Sequence, residues 1–77
     1  MSRFKAQVDA RIYPSKEKHA VIFDTFNNLG NGEEMELIND HDPRPLYYQF
    51  SAEYTEQFEW EYLEEGPEIW RVAIKKK

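Results

Sequence analysis

Apolar and polar residues alternate with a period of two in four places along this chain, and recur at helical spacing in two. Phe4, Ala6, Val8, Ala10 and Ile12 fall on one side of an extended segment, with Arg3, Lys5, Gln7, Asp9 and Arg11 on the other. That is the pattern of a strand buried on one face. Tyr13-Pro14 breaks it, and Ser15 is placed to cap a helix over Lys16 to Leu29. There His19, Ile22, Phe23, Phe26 and Leu29 share a stripe, flanked by Ala20 and Val21. Gly30 suits the left-handed position that ends a helix, and Asn31-Gly32 completes the turn. Glu34 to Ile38 alternates again with Met35 and Leu37 inward. Asp42 is placed to cap a second helix from Pro43 to about Tyr54, because prolines at 43 and 45 are tolerated in a first turn. Its stripe is Leu46, Tyr47, Phe50 and Tyr54. Gln57 to Leu63 and Ile69 to Ile74 alternate on either side of Glu65-Gly66-Pro67 and predict a hairpin. The expected register sets Glu61 opposite Arg71, Trp60 opposite Val72 and Tyr62 opposite Trp70.

The order βαβαββ predicts an α+β two-layer sandwich. Right-handed crossovers make the first two strands parallel and put both helices on one face of a four-stranded mixed sheet. The other face is left to solvent, in keeping with the alternation in every strand. Charge then selects the strand order. The open face carries Arg3, Lys5 and Arg11 on strand 1, Glu34 and Glu36 on strand 2, Glu59 and Glu61 on strand 3, and Arg71 and Lys75 on strand 4. Opposite charges side by side stabilise a sheet by roughly 0.2–1 kcal/mol per pair and like charges cost as much. The order 1-2-4-3 alternates the sign of the columns, whereas 1-2-3-4 sets two glutamate columns together. It also centres strand 4, the most apolar.

Composition narrows the class. A chain of 77 residues has room for one core, so residues 1–77 read as a single domain. With 40% hydrophobic and 16% aromatic residues it has enough apolar area to fold. The absence of cysteine removes disulfides, thiolate metal sites and sulfur nucleophiles. The start Met1-Ser2-Arg3-Phe4 has no apolar run of a signal peptide and nothing approaches a membrane span, so the chain reads as a complete cytoplasmic protein, monomeric or weakly dimeric. The net charge of −5 is uneven: residues 1–18 sum to +3, residues 19–68 to −12 and residues 69–77 to +4. An acidic central block repels a phosphate backbone, which argues against nucleic acid, and the lysine tail reads as a solubilising terminus.

Several stretches resemble a small family known as domain of unknown function 2249, within the TusA/SirA-like fold. They are Val8-Asp9-Ala10-Arg11, Glu17-Lys18-His19, the run from Leu37 to Leu46, the run from Phe58 to Pro67, and Trp70-Arg71-Val72. The resemblance implies a two-layer sandwich and no reaction. It also implies a link to hemerythrin-like or redox proteins, beside which such modules occur. TusA-type sulfur carriers use a Cys-Pro pair at the start of the first helix, and here Ser15 stands at about that place. A serine cannot hold a persulfide, so sulfur transfer is rejected.

Candidate chemistry gathers at one sheet edge. Both helices begin beyond the carboxyl ends of the parallel strands 1 and 2, where open α/β sheets bind ligands and helix N-termini favour anions. Ser15, His19, Asp40, His41, Asp42 and Arg44 are therefore expected to converge. One reading is structural: His19 packs at the helix–sheet boundary, while Asp40 and Asp42 cap the second helix and fix its turn. A second is a binding or accessory module that takes a small anion or a protein partner there. A third is a zinc, iron or copper site, or a haem-linked redox role, with His19 and His41 as ligands beside Asp40 or Asp42. Ser15, His19 and an aspartate have the residue types for hydrolysis, but no lid, Gly-rich loop or nucleophile elbow accompanies them, which argues against an enzyme. Glu59, Glu61, Glu64 and Glu65 read as a solvated face, and Trp60, Tyr62 and Trp70 as core.

Overall fold

Two strand–helix units followed by a hairpin build one sheet with the helices against one face. In the computed structural model, which describes residues 3–77, the elements are β1 (Ala6–Asp9), α1 (Ser15–Asn27), β2 (Glu34–Asn39), α2 (Arg44–Glu53), β3 (Phe58–Glu65) and β4 (Trp70–Lys76), with one turn of 3₁₀ helix at Ala10–Ile12. Met1 and Ser2, where the start segment was read for a leader, lie outside the described residues. The sheet order is β1-β2-β4-β3, with β1 and β2 parallel and the other pairs antiparallel. The order inferred from alternating charge columns is the observed one.

The inner face is built row by row. Val8, Leu37, Val72 and Tyr62 stand abreast, as do Ala6, Met35, Ile74 and Trp60. Ile22 and Phe26 of α1, Leu29 just after it, and Leu46 and Phe50 of α2 close over them. Phe26, Phe50, Met35, Leu37, Ile74 and Val72 are the largest fully buried side chains. The Phe50 ring stacks on Phe23 at 4.5 Å and meets Phe26 at 5.1 Å and Phe58 at 5.3 Å between centroids.

The outer face is a lattice of ion pairs. Arg3 binds Glu34 with two bonds of 2.9 and 3.0 Å and reaches Glu61 at 2.7 Å. Glu61 and Glu36 flank Ala73 in register. Ala73 has no side chain beyond Cβ to fill this middle row, and the long side chains around it leave it buried. Glu36 is buried beside it, held by Gln7 at 2.7 Å and by the Arg71 guanidinium.

Several local expectations need correction. The first strand stops at Asp9, because Asp9 Oδ1 accepts the Arg11 amide at 3.1 Å and turns the chain into the 3₁₀ segment. Arg11 thereby folds back onto Asp9, and Ile12 leaves the core and is 71% exposed. Neither helix has a side-chain cap; Pro14 and Pro43 occupy the capping positions, not Ser15 and Asp42. Gly32, not Gly30, takes the left-handed backbone at φ 85°, since α1 closes through Asn28 in a right-handed conformation. In the hairpin, Trp60 pairs with Ile74 and Tyr62 with Val72, two residues from the expected register. β3 runs on to Glu65, a bulge between Tyr62 and Glu64 absorbs the odd residue, and the reversal falls on Gly66 to Ile69. A shift of two preserves which face each residue takes. Gly66 is required there: its φ is 62°, and an added Cβ would lie 2.8 Å from the Trp70 indole.

Candidate functional site

The six residues expected to converge are divided by the start of α2. His19 and His41 line one hollow with Lys18, Pro43 and Pro45. Its volume is about 80 Å³, a small fraction of an ordinary ligand pocket of roughly 300–1,000 Å³. His19 is exposed on α1 with its ring edge toward Phe23, and is not packed at the helix–sheet boundary. Ser15 lies at the first position of α1 and is exposed. Asp40 bonds His41 Nδ1 at 2.7 Å. That hydrogen bond is the first cause holding the Asp40 carboxyl below its ordinary value.

Asp42 and Arg44 belong to the opposite side. Asp42 accepts the Tyr62 hydroxyl at 2.8 Å, which ties the turn before α2 to β3. Arg44 Nε stands 3.6 Å from Asp42. Burial pushes the Tyr62 hydroxyl above its ordinary value, and the Asp42 bond adds to the rise. Among the described residues, no group of three or more His, Asp or Glu side chains is arranged to hold a metal ion. The set His19, His41 and Asp40 or Asp42 is therefore not assembled by the fold. The start of α2 also has little to offer an anion. Pro45 has no amide hydrogen, and the amides of Leu46 and Tyr47 already donate to Pro43 O at 3.0 and 3.2 Å.

The larger concavity lies elsewhere, in a furrow between α2 and β3. One part, about 360 Å³, is lined by Tyr47, Ser51, Thr55, Glu56, Phe58 and Trp60. The next, about 300 Å³, is lined by Arg44, Tyr47, Trp60 and Tyr62. Tyr47 and Trp60 are common to both, so the two hollows adjoin along the strand with these rings between them. Their rings meet edge to face at 5.3 Å. Tyr47 is 37% and Tyr48 60% exposed. Among the described residues the buried indole Nε1 of Trp60 has no partner in full hydrogen-bond geometry, although the Tyr62 hydroxyl lies close enough to interact with it. Glu56, at the far mouth, is the one non-glycine described residue with a left-handed backbone, at φ 58°. Such a conformation costs a side-chain-bearing residue roughly 1–2 kcal/mol.

The spacing of Trp60 and Tyr62 placed them in the core, and they do face it. The half-exposure follows from strand order, because β3 is the sheet edge and the row of aromatics runs beyond the cover of α2. Strand order, derived from charge, was the signal that could have located the furrow.

Residues 7–76 match the model of a family described as an uncharacterized conserved protein, DUF2249. No curated protein and no solved structure matches the chain. No helix among the described residues is long and apolar enough to cross a membrane.

Proposed function

The chain belongs to the DUF2249 family, and from that premise we propose that it is a non-catalytic binding module whose partner lies in the furrow between α2 and β3. The observation that carries this reading is the furrow itself. It is a pair of adjoining hollows lined by half-exposed aromatic rings, beside a strand that has no neighbour on its outer side among the described residues. Aromatic rings with one polar end are the side chains that contribute most at interfaces. Adjoining open hollows fit a segment of chain better than a small molecule, which a pocket would enclose. The acid–base residues at the helix ends are dispersed, which supports binding over catalysis.

A photo-crosslinking amino acid placed at Tyr48, beside the furrow, tests the reading. In cells it is expected to trap one discrete adduct that a crosslinker at exposed Asp24 on α1 does not trap. The same adduct pattern from both positions would sink it.

A second reading has one observation behind it: His19 and His41 line the same hollow. Two imidazoles holding zinc, iron or copper would draw their other ligands from water or a partner. This redox-linked reading requires stoichiometric metal in the purified protein, lost in His19→Ala and His41→Ala alike; metal-free protein with both histidines intact refutes it.

A further inference from the structure

Acids on and beside β3 differ in how they are partnered. On the outer face of the sheet, Glu34 and Glu61 are bound by Arg3, and Glu36 and Glu64 by Arg71. At the start of β3 the pairing stops. Among the described residues, the side chains of Glu56 and Glu59 form no hydrogen bond or ion pair. Lys75 is the cross-strand neighbour of Glu59 but forms no ion pair with it. Arg44, the one basic residue lining the furrow, is offset by Asp42. The β3 edge therefore combines aromatic faces on its inner side with two carboxylates outside any ion pair, Glu56 lining the furrow and Glu59 on the outer face.

We propose that the occupant of the furrow is an extended, cation-bearing segment of a partner protein that adds to β3 as a fifth strand. This rests on the binding-module reading above. Its lysine or arginine residues lie beside Glu59 on the outer face and beside Glu56 at the mouth of the furrow. Its alternate apolar residues turn inward against Trp60 and Tyr47. Each part has a physical basis. An added strand satisfies the outward amides and carbonyls of β3, and side chains at every second position enter the furrow. A cation beside Glu59 or Glu56 gains Coulomb attraction to its carboxylate. Charge opposite charge also sets the register of the incoming strand.

The test uses the full chain and three blocked octapeptides, alternating Val with Lys, with Glu or with Ser. Binding is followed by backbone amide shifts of the labelled protein. The lysine peptide is expected to shift residues 58–65 and the facing residues of α2, with affinity that falls as salt is raised. Glu59→Lys is expected to weaken it by about tenfold and Glu56→Gln by about threefold; both side chains are exposed, so the fold is retained. If the glutamate or serine peptide shifts the same residues equally well, the cation preference is wrong while the binding-module reading stands. If no peptide moves β3 or α2, both are overturned and the acids serve only to guard a strand edge. Shifts at β3 that grow with protein concentration without peptide would make a second copy the occupant, and overturn the proposal.

Discussion

Tyr62 does two jobs that its place in an alternating strand does not disclose. Its ring packs against Trp60 and Trp70, and its hydroxyl donates to Asp42, pinning the entry of α2 to the edge strand. Asp42 thus holds a neighbouring strand and leaves the helix uncapped. The pH dependence follows from the raised hydroxyl pKa. A group with a higher pKa folded than unfolded contributes stability below the unfolded value, and that contribution is lost as pH rises through the folded one. The ordinary value is 10.0, so stability is expected to fall on passing above about pH 10 partly because of Tyr62. Tyr62→Phe is expected to cost about 1 kcal/mol at neutral pH through the lost hydrogen bond. Its loss of stability in alkali should be shallower than that of the parent, as urea unfolding across pH 8–11 would show. An identical alkaline slope would remove Tyr62 as a cause.

At the scale of elements, α1, α2 and β3 are joined through one ring. Phe50 stacks on Phe23 of α1 and packs edge-on or tilted against Phe26, Phe58 and Trp60. The helices lie on the sheet because this cluster fills the space between them. Truncating a buried phenylalanine costs roughly 3–5 kcal/mol, and a domain this small has little more than that in total. Phe50→Ala is therefore expected to be largely unfolded at 25 °C by far-ultraviolet circular dichroism. Phe50→Leu, which keeps most of the volume, should retain the fold with a lower melting temperature. A folded Phe50→Ala with unchanged melting would mean that the helices are held otherwise.

For the whole molecule, charge is sorted by face. Arg3 reaches across the sheet to carboxylates on β2 and β3, although the strand between them is β4. The hydrogen bond from Arg3 holds Glu34 below its ordinary 4.5, and the bond from Arg11 holds Asp9 below 3.8. A carboxyl with a depressed folded pKa contributes stability above its unfolded value and loses it as pH falls. The protein is thus expected to lose stability on acidification below about pH 4.5. Glu34→Gln together with Asp9→Asn should flatten that acid limb in denaturant titrations between pH 2 and 6. These groups are close to solvent, so the effect should also weaken in salt.

What could be read directly from the chain was whatever depends on local period and on the sign of neighbouring charges. Alternation located every strand, because a half-buried strand must alternate. Helical stripes located both helices, and the signs of Arg3, Glu34, Glu36, Glu59, Glu61, Arg71 and Lys75 fixed the strand order. The caps, the 3₁₀ turn at Ala10–Ile12 and the bulge were not legible, since each depends on competition between hydrogen bonds only a few residues apart. The candidate edge was legible only in part. His19 and His41 do line one hollow, because two parallel strands deliver both turns to the same end. Which way Asp42 and Arg44 face was decided by Tyr62, a residue some twenty positions away. The furrow is a product of tertiary structure: α1 and α2 leave the row of aromatics on the edge strand β3 half open, and only the packed molecule shows which row that is.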